Sequence, residues 1–388
     1  MVTIFTPVYN RSYIIDQLYA SLQRQNDTNF EWIIIDDGST DNLKEKVQAW
    51  IKEDNPFKIY YEYVSHGGKH RAINRAVRMA KGEFFFIVDS DDYLSEDAVN
   101  FIIEKFSEVI EDDGIAAVSG LKAHYDGTVI GGNPKIEVID ALAFEARQYG
   151  MGGDKAEVYK TDLLKKYPFS EYEGEFFLPE GTVWNRIALD GYKIRYYNKI
   201  IYYAEYRSDG LSKNAYRNLV NSPMGWAESL RIWQKCGASQ IDRSIIHYCY
   251  LYSKLGKEKI CQSLNVSSEK YEQYMKINIE FDECMEHLLD NEGIKSVAIY
   301  GCGLQAHYFM NHLRNLGREI IYGLDRSVKI FEGHRVYSLE DDIPDTEAVF
   351  ITVRNLSMKH MQEICSVLHS KLPGVKIWSL QEINNNLW

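Results

Sequence analysis

The chain has 388 residues, too many for one ordinary domain, so we expect two or three structural units. It carries 56 acidic and 44 basic residues, for a formal net charge of −12, which argues against a nucleic acid partner held by a broad basic surface. A phosphorylated small ligand is compatible with this charge if a divalent cation lies between the carboxylates and the phosphates.

The first two predicted strands both end in polar residues. Residues 2–8 form the first strand, and residues 32–35 form the second, which runs into Asp36 and Asp37. A carboxylate at the carboxyl end of a strand can accept hydrogen bonds from a base N–H or a ribose hydroxyl. One of the next polar residues is expected to cap the helix that follows, namely Ser39, Thr40 or Asp41.

A third predicted strand, Lys58–Val64, leads into a glycine-containing turn and a helix. The turn reads HGGKHR over residues 66–71. Paired glycines before a helix let backbone amides approach a phosphate, and Lys69 or Arg71 would add positive charge. An ordinary turn with solvent-exposed basic residues has the same pattern, so both interpretations stay open at this point.

The fourth predicted strand is the centre of this region. Residues 84–88 are apolar and aromatic, as in a buried central strand, and Asp89, Asp91 and Asp92 follow directly. Asp89 and Asp91 flank one small residue, a spacing that lets two hard oxygen ligands face one divalent cation and its phosphates. The alternative is a solvated acidic turn before a helix. Ser95 is already predicted to cap that helix, so the three earlier acids are not needed for capping.

The alternation of strands and helices predicts an α/β fold with a mostly parallel sheet and helices on both faces. In such sheets the ligand site lies along the carboxyl ends of the strands. The polar residues that end the first, second and fourth strands are therefore expected to meet at one edge of the sheet.

Four motifs in this order resemble those of the family-two glycosyltransferases, inverting enzymes with the GT-A type of fold. They are TPVYNR at residues 6–11, DDGSTD at 36–41, HGGKHRAIN at 66–74 and VDSDD at 88–92. The resemblance implies a nucleotide-sugar donor, most often a UDP-sugar, with manganese or magnesium on its diphosphate. It also implies a nucleotide site made of Thr6, Pro7, Tyr9, Asp37, Lys69, Asp89, Ser90 and Asp91.

The resemblance further implies a role for individual residues of this site. Pro7, Tyr9 and Asp37 would hold the nucleoside, and Lys69 would lie near the base or the diphosphate. Asp91 would ligate the metal ion together with Asp89, which would also contact the ribose side. The ion would stabilise the leaving nucleoside diphosphate while an acceptor hydroxyl attacks the anomeric carbon of the sugar.

A general base is expected in the middle of the chain. The family that the sequence resembles commonly carries an acidic pair at the start of a helix there, but this chain has Pro179-Glu180. Glu180 is therefore the candidate for the carboxylate that accepts the proton of the acceptor hydroxyl. The alternative is a first-turn acid that merely favours the helix dipole. Three neighbouring acids are alternative candidates for the base, although we interpret them as a mobile acidic loop that borders the acceptor site, namely Glu171, Glu173 and Glu175.

A polar loop follows a late predicted strand at residues 192–203. It is similar to a family loop that closes over the diphosphate, and Arg207 or Lys213 would help to neutralise the phosphate charge. A plain surface loop is the alternative. Trp184 and Tyr206 are candidates to stack on a sugar face, although most such aromatic residues belong to a core.

The carboxyl-terminal third is organised differently. Residues 215–291 show helical spacing of apolar and aromatic residues, and residues 293–388 start a new strand and helix pattern. The turn GCGLQA at 301–306, with an acid at Asp325, approximates a dinucleotide-binding fingerprint. The segment offers only one mononucleotide-binding half, so we expect an accessory domain without a firmly bound dinucleotide.

These patterns predict three parts: a catalytic domain at residues 1–214, a helical linker region at 215–292 and a Rossmann-like accessory domain at 293–388. The six cysteines are scattered without a CxxC pair, as in a cytosolic protein with reduced thiols. No signal peptide or spanning segment is recognisable, so any membrane contact is expected to be peripheral, at the inner face of the cell membrane.

The predicted function is an inverting, metal-dependent transfer of a sugar from a UDP-sugar to a hydroxyl of a surface or lipid-linked glycan. The alternative is an assembly or regulatory module that binds nucleotide-sugar or NAD and has weak or no transferase activity. The altered acidic pair at Glu180 and the GCGLQA turn motivate this alternative.

Overall fold

The computed structural model describes residues 1–132, 136–205, 207, 210, 214–238, 241–326, 328, 330–353 and 356–383. The chain divides into two compact units, Met1–Ala238 and Ser239–Trp388. The helical region predicted at 215–292 is thus divided between the units, and the three-part division at 214 and 292 stays a prediction.

The strands that the structure describes in the amino-terminal unit belong to one sheet. They are β1 (Val2–Val8), β2 (Phe30–Asp37), β3 (Lys58–Val64), β4 (Phe84–Ile87), β5 (Tyr93–Leu94), β6 (Ile115–Ala123), β7 (Val138–Ala141), β8 (Lys155–Lys160) and β9 (Lys193–Tyr203). The helices of this unit are α1 (Asp16–Gln23), α2 (Leu43–Ile51), α3 (Lys69–Met79), α4 (Ala98–Ser107), α5 (Thr161–Leu164), α6 (Gly181–Leu189), α7 (Ala215–Val220) and α8 (Pro223–Lys235), with a 3-10 turn at Ala146–Tyr149.

The strand order across the sheet is β3-β2-β1-β4-β8-β6-β9-β5, with β7 paired to β9. Strands β3, β2, β1 and β4 are parallel to one another. Antiparallel β8 then joins β4 to β6, and β6 is parallel to β9. The carboxyl ends of β1, β2 and β4 therefore meet at one edge, as the sequence predicted, and the α/β fold class is confirmed.

Strand β4 shows why the central strand is apolar throughout. Phe84 and Phe86 face the core that packs under α1, α2 and α4, whereas Phe85 faces the second core under α3 and α6. The Phe84 ring stacks on Phe106 with centroids 3.8 Å apart, and the Phe85 ring stacks on Phe5 at 5.6 Å. A strand that is covered on both faces cannot alternate apolar with polar residues.

A buried acid ties three strands of the sheet together. The Glu31 carboxylate on β2 is only 3% exposed, and its Oε1 accepts a 2.7 Å hydrogen bond from Thr3 Oγ1 on β1. The same oxygen accepts hydrogen bonds from the backbone N–H groups of Lys81 at 2.7 Å and Gly82 at 3.2 Å, just before β4. These bonds compensate the cost of burying the carboxylate.

One predicted helix cap is wrong, and a second is right only in part. Helix α4 begins at Ala98 with Asp97 as its N-cap residue, and the Ser95 hydroxyl donates a 2.7 Å hydrogen bond to Asp97 Oδ1 instead of capping the helix. Helix α2 begins after Asn42, whose side chain makes no capping bond, but Asp41 Oδ1 accepts a 3.3 Å hydrogen bond from Leu43 N, the first residue of the helix. Ser39 Oγ and Asp41 Oδ2 also bind the loop after β1, where they accept from Asn10 N and Ser12 N, each at 2.9 Å.

The carboxyl-terminal unit begins with helices and continues as an α/β sheet. The described helices are α9 (Ile241–Leu251), α10 (Lys257–Leu264), α11 (Ser268–Asn291), α12 (Leu304–Asn315), α13 (Met358–Lys371) and α14 (Leu380–Ile383), with a 3-10 turn at Ser253–Leu255. The described strands are β10 (Ser296–Tyr300), β11 (Glu319–Leu324), β12 (Ile330–Phe331), β13 (His334–Tyr337), β14 (Ala348–Ile351) and β15 (Lys376–Ser379).

Strands β13, β11, β10, β14 and β15 lie side by side in this order and are parallel. This is the strand order of a doubly wound nucleotide-binding sheet, as predicted for the Rossmann-like part. The acid that ends β11 closes onto the glycine turn, because Asp325 Oδ2 accepts a 2.9 Å hydrogen bond from Cys302 N. Among the helices that the structure describes, none has both the length and the apolar character needed to cross a membrane.

We expect Glu31→Ala to lower the unfolding free energy of the amino-terminal unit by about 3 kcal/mol, because it leaves the buried Thr3 hydroxyl and the Lys81 N–H without their acceptor, while the Gly82 N–H keeps only Thr3 Oγ1. Urea unfolding followed by tryptophan fluorescence measures the change. Glu62→Ala is the matched control, since it removes only a solvent-exposed ion pair with Arg75, which contributes little to stability. Equal shifts for both variants would contradict the structural role of Glu31.

Candidate active site

A cavity of about 1140 Å³ lies in the amino-terminal unit, at the edge where β1, β2 and β4 end. It is large enough for more than one small ligand, because ligand pockets typically measure roughly 300–1000 Å³. The structure brings eight of the nine predicted site residues to its wall: Pro7, Tyr9, Asp37, Lys69, Asp89, Ser90, Asp91 and Glu180.

Thr6 is the predicted site residue that does not line the cavity. Its side chain is fully buried inside β1, and its Oγ1 accepts a 2.9 Å hydrogen bond from Trp32 Nε1 on β2. In a strand, neighbouring side chains point to opposite faces, so the motif places Thr6 in the core and Pro7 at the site. The hydroxyl of Thr6 therefore stabilises the sheet.

Asp37 organises the turn before helix α3. Its Oδ1 accepts a 2.7 Å hydrogen bond from Gly67 N, and its Oδ2 accepts from Gly68 N at 2.9 Å. His66 Nδ1 lies 2.9 Å from the same Oδ2. Gly68 has φ +93°, and a Cβ atom there would lie 2.0 Å from the carbonyl oxygen of Phe176, so only glycine fits. Asp37 thus fixes the backbone that carries Lys69.

Three aromatic rings form a stack at this end of the cavity. The Tyr9 and His66 rings lie 4.2 Å apart with an interplanar angle of 19°, and His66 stacks on Phe176 at 5.2 Å and 12°. Tyr9 and Phe176 are about half exposed, at 47% and 50%, so their faces are available to a flat ligand. The sequence analysis assigned Tyr9 to the site but no role to His66, although His66 opens the third motif.

Lys69 lies between two acids of the site. Its Nζ is 2.6 Å from Asp89 Oδ1, at the end of β4, and 2.7 Å from Glu180 Oε1, at the start of α6. Burial lowers the pKa of Lys69, but the two carboxylates outweigh it and hold that pKa above its ordinary value. One ammonium group therefore joins the acidic end of β4 to the candidate base.

The acids after β4 carry negative charge that the protein balances only in part. Burial raises the pKa of Asp91, and the Asp89 charge adds to this effect; the same two causes raise the pKa of Asp92 to about 7. Burial also raises the pKa of Asp89, but the positive charges of Lys69 and Lys122 outweigh this effect and lower that pKa. A cation beside Asp91 would favour the charged form of these acids.

The donor set fits a divalent cation that is bound through a phosphorylated ligand. Within the described ranges of the chain, no group of three or more His, Cys, Asp or Glu side chains is placed to hold a metal ion alone. Asp89 and Asp91 offer hard carboxylate oxygens, and Mg²⁺ in proteins commonly takes one or two carboxylates and completes its shell with phosphate oxygens and water. The residues present are therefore suitable for manganese or magnesium with a diphosphate.

Tyrosines from later parts of the chain fix the shape of the acidic turn. The Tyr202 hydroxyl on β9 donates a 2.6 Å hydrogen bond to Asp92 Oδ2 and accepts one from Asp89 N at 3.0 Å. The Tyr125 hydroxyl donates to the Asp91 carbonyl oxygen at 2.6 Å. No local motif marks these tyrosines, because they are far from their partners in sequence. Tyr202 is at least 110 residues from its partners, and Tyr125 is 34 residues from Asp91.

Glu180 is the N-cap residue of α6, yet its side chain makes no capping hydrogen bond to the helix. Its backbone carbonyl accepts from Val183 N and Trp184 N, and its carboxylate pairs with Lys69 inside the cavity. The carboxylate is thus directed to the site and not to the helix end. Trp184, a candidate sugar-stacking residue, lines the cavity but stacks on Tyr159 with centroids 4.3 Å apart.

The acids before Glu180 do not form a uniformly exposed loop, so that interpretation is wrong in part. Glu175 is 7% exposed, and its carboxylate accepts 2.8 Å hydrogen bonds from Met224 N and Gly225 N at the start of α8. Glu171 accepts a 2.8 Å hydrogen bond from Asn74 Nδ2 on α3. Glu173 alone of these three acids is exposed without such a bond.

Of the basic residues that were expected near the phosphates, Arg207 lines the cavity and Arg71 does not. Arg207 lines the cavity, and its guanidinium lies 5.8 Å from the centre of the Tyr13 ring. Arg71 does not line the cavity, because its guanidinium donates to the carbonyl oxygen of Tyr172. Lys213 and Tyr206, which the sequence also proposed for this loop, lie outside the described residues. Arg11, to which no role was assigned, lines the cavity as well.

Residues 3–154 match the sequence model of the family described as Glycosyl transferase family 2. That stretch contains β1 to β4, the turn of Asp37 and Lys69 and the acids that end β4. This part of the amino-terminal unit is a glycosyltransferase family 2 domain. The four sequence motifs thus pointed to the correct family, and the enzyme class is confirmed.

Bacterial glycosyltransferases are similar in sequence to this chain. The GalNAc(5)-diNAcBac-PP-undecaprenol beta-1,3-glucosyltransferase of Campylobacter jejuni is 25% identical over 263 residues, which are 65% of this chain and 80% of that protein. Glycosyltransferase GlyG of Streptococcus pneumoniae is 27% identical over 245 residues, covering 59% of this chain and 77% of GlyG.

A solved structure has the same fold. Residues 1–349 of S. aureus TarS in complex with UDP-GlcNAc superpose with a TM-score of 0.50 at 23% identity, covering 73% of this chain and 80% of that one. This likeness supports the GT-A fold of the family 2 enzyme.

We expect Glu175→Ala to loosen the segment that carries Glu180, because the carboxylate no longer accepts from the first amides of α8. Backbone amide exchange at residues 172–180 and 223–226 should become at least about tenfold faster, in line with a loss of roughly 1.4 kcal/mol or more. Hydrogen–deuterium exchange with mass spectrometry measures this. Glu173→Ala, in the exposed part of the same loop, should leave the rates unchanged, and equal acceleration in both variants would contradict the assignment.

Proposed function

We propose that this enzyme transfers a sugar from a UDP-sugar to a hydroxyl of a glycan acceptor, with inversion at the anomeric carbon. The observation that carries the proposal is the position of Lys69, whose Nζ lies 2.6 Å from Asp89 and 2.7 Å from Glu180. It places the acids suited to a metal-bound diphosphate beside a carboxylate suited to act as base. Leaving group and attacking hydroxyl must meet at one anomeric carbon, so their protein partners must be close together.

The nucleoside is proposed to bind at the end of the cavity formed by Tyr9, His66 and Asp37. A flat base can stack on the exposed face of Tyr9. The carboxylate of Asp37 is already engaged with backbone amides, so its role toward the nucleoside is to hold this turn in place. Uridine is the first base to test, because TarS, which has the same fold, was crystallised with UDP-GlcNAc.

A manganese or magnesium ion held by Asp91 and Asp89 would supply positive charge to the leaving diphosphate. Lys69 adds a fixed positive charge at the same place, and its contact with Asp89 keeps that carboxylate in the charged form. Arg11 and Arg207 line the same part of the cavity and contribute further positive charge.

Glu180 is proposed as the general base of a single displacement. Its carboxylate accepts the proton of the acceptor hydroxyl while the acceptor oxygen forms a bond to the anomeric carbon. The bond between that carbon and the diphosphate oxygen breaks at the same time, and its electron pair leaves with UDP. Attack opposite the leaving group inverts the anomeric centre. The Glu180 carboxylate lies 2.7 Å from the Lys69 ammonium, which holds it in the cavity.

The acceptor is proposed to be a growing surface or lipid-linked glycan. The C. jejuni relative is named for an undecaprenol-linked saccharide acceptor, and it matches 65% of this chain. A lipid-linked acceptor would bring the enzyme to the inner face of the cell membrane as a peripheral protein. A panel of undecaprenyl-linked saccharides and free oligosaccharides would therefore be the first acceptors to screen.

We expect Asp91→Asn to remove the manganese dependence of UDP binding. Isothermal titration calorimetry of UDP should show affinity that increases with Mn²⁺ in the parent chain, and at least about tenfold weaker binding in the variant with Mn²⁺ present. Asp54→Asn, at an exposed acid that does not line the cavity, should match the parent. Metal-independent UDP binding by the parent would contradict the metal assignment, and no UDP binding would contradict the donor.

We expect Glu180→Gln to reduce kcat by about 100-fold or more while UDP affinity stays within about threefold, because the amide cannot accept the proton but still reaches Lys69. UDP release in the presence of acceptor measures kcat, and calorimetry measures UDP binding. Glu173→Gln serves as the surface control. A Glu180→Gln enzyme with about a tenth or more of the parent kcat would rule out this base, and retention of the donor's anomeric configuration in the product would rule out single displacement.

A further inference from the structure

We propose that Glu157 recognises the sugar of the donor by hydrogen bonds to its hydroxyl or acetamido groups. This inference rests on the proposed function and assigns a specificity-determining residue to it. Glu157 lies outside the four motifs, in the middle of β8, and nothing in its local sequence marks it.

The position of Glu157 follows from the alternation of side chains along β8. Val158 belongs to the core under α1, α2 and α4, whereas Tyr159 belongs to the core on the opposite face. Glu157 therefore points to the same face as Tyr159, toward α3 and α6, and it lines the cavity. A carboxylate thus lies in the wall of the cavity, whose lining also includes the apolar side chains of Ile194, Met151 and Trp184.

The carboxylate of Glu157 has charged and polar neighbours on every surrounding element but no hydrogen bond to them. Within the part of the chain that the structure describes, no other residue donates a hydrogen bond to it, and the backbone N–H of Glu157 itself is its donor. The groups that act on it electrostatically are Lys122 on β6, Lys155 on β8, Tyr196 on β9, Asp154 before β8, Tyr159 on β8 and Glu180 at α6.

Lys155, the nearest cation along the strand, is occupied elsewhere. Its ammonium donates to the carbonyl oxygens of Gly152 at 2.7 Å and Ile130 at 3.2 Å, and burial lowers its pKa. It therefore supports the loop before β8. The Glu157 side chain is partly exposed in the cavity wall and receives no hydrogen bond from another described residue, so its oxygens are available to hydrogen-bond a ligand there.

The chemistry of Glu157 suits a neutral polar ligand. Burial raises the pKa of Glu157 to about 7, so its protonated and ionised forms are both accessible near neutral pH. The carboxyl group can then donate as well as accept hydrogen bonds, as sugar hydroxyls also do. A second phosphate or carboxylate would be repelled by the ionised form and is disfavoured at this position.

The order of groups in the donor places the sugar near Glu157. Tyr9 and Asp37 mark the nucleoside end of the cavity, and Asp89 and Asp91 mark the diphosphate. The sugar lies beyond the diphosphate, next to Glu180, because the base must reach the acceptor at the anomeric carbon. Glu157 is a cavity neighbour of Glu180 in this region, which leaves the sugar as the donor group that it faces.

The test is the donor selectivity of Glu157→Gln and Glu157→Ala in the full chain. With Mn²⁺ and a fixed acceptor or water, kcat/KM is measured for UDP-glucose, UDP-galactose, UDP-GlcNAc and UDP-GalNAc, and UDP affinity is measured by calorimetry. We expect UDP affinity to stay within about twofold, while the ratio of kcat/KM between the best and second-best sugars falls by about tenfold, the value of one lost hydrogen bond to a buried carboxyl. Glu173→Gln should change neither quantity.

Unchanged sugar ratios in both Glu157 variants, with UDP binding intact, would overturn the inference and leave the proposed function standing. Loss of UDP affinity in the variants would assign Glu157 a structural role and would also overturn it. A parent enzyme without selectivity among the four sugars would also overturn the inference about Glu157. A parent that binds neither UDP nor any of these donors would overturn the proposed function itself.

Discussion

The ammonium group of Lys69 is the interaction on which the site depends. It lies within 2.7 Å of both Asp89 and Glu180, and it holds together two carboxylates that would otherwise repel each other across the cavity. The same charge lowers the pKa of Asp89, whereas the pKa values of Asp91 and Asp92, farther along the turn, are raised. The negative charges of Asp89 and Glu180 are thus balanced in part by Lys69. The acids at Asp91 and Asp92 lie farther along the turn, and a cation can bind beside them.

Two buried carboxylates bring the partners of this ion pair together. Asp37 holds the turn before Lys69 through two backbone amides, and Glu175 holds the segment before Glu180 against the first amides of α8. The two segments touch where the carbonyl of Phe176 packs on Gly68, at a distance that excludes any Cβ atom. Neither Asp37 nor Glu175 needs to contact a ligand to matter for the geometry, because each positions the backbone of a residue that does.

Much of the fold was predictable because its signals are local. Strands β1 and β3 have the predicted bounds, and the acids that end β2 and β4 lie at the edge that strand parallelism requires. The errors also have local causes. Thr6 lies in a motif but faces the core, since strand neighbours alternate, and Ser95 resembles a cap although its hydroxyl binds Asp97. A motif identifies a stretch of chain, but the strand geometry decides which of its side chains reach the site.

By itself, the sequence determined the family, the α/β class and the set of polar residues at the strand ends, because these depend on patterns within a few residues. Only the tertiary structure decided which distant groups complete the site. Tyr202 reaches Asp92 across 110 residues, Glu175 reaches α8 across 49 residues, and Glu157 enters the cavity from a strand with no motif of its own. Such contacts depend on strand order and on side-chain direction in the packed sheet, which no local pattern encodes.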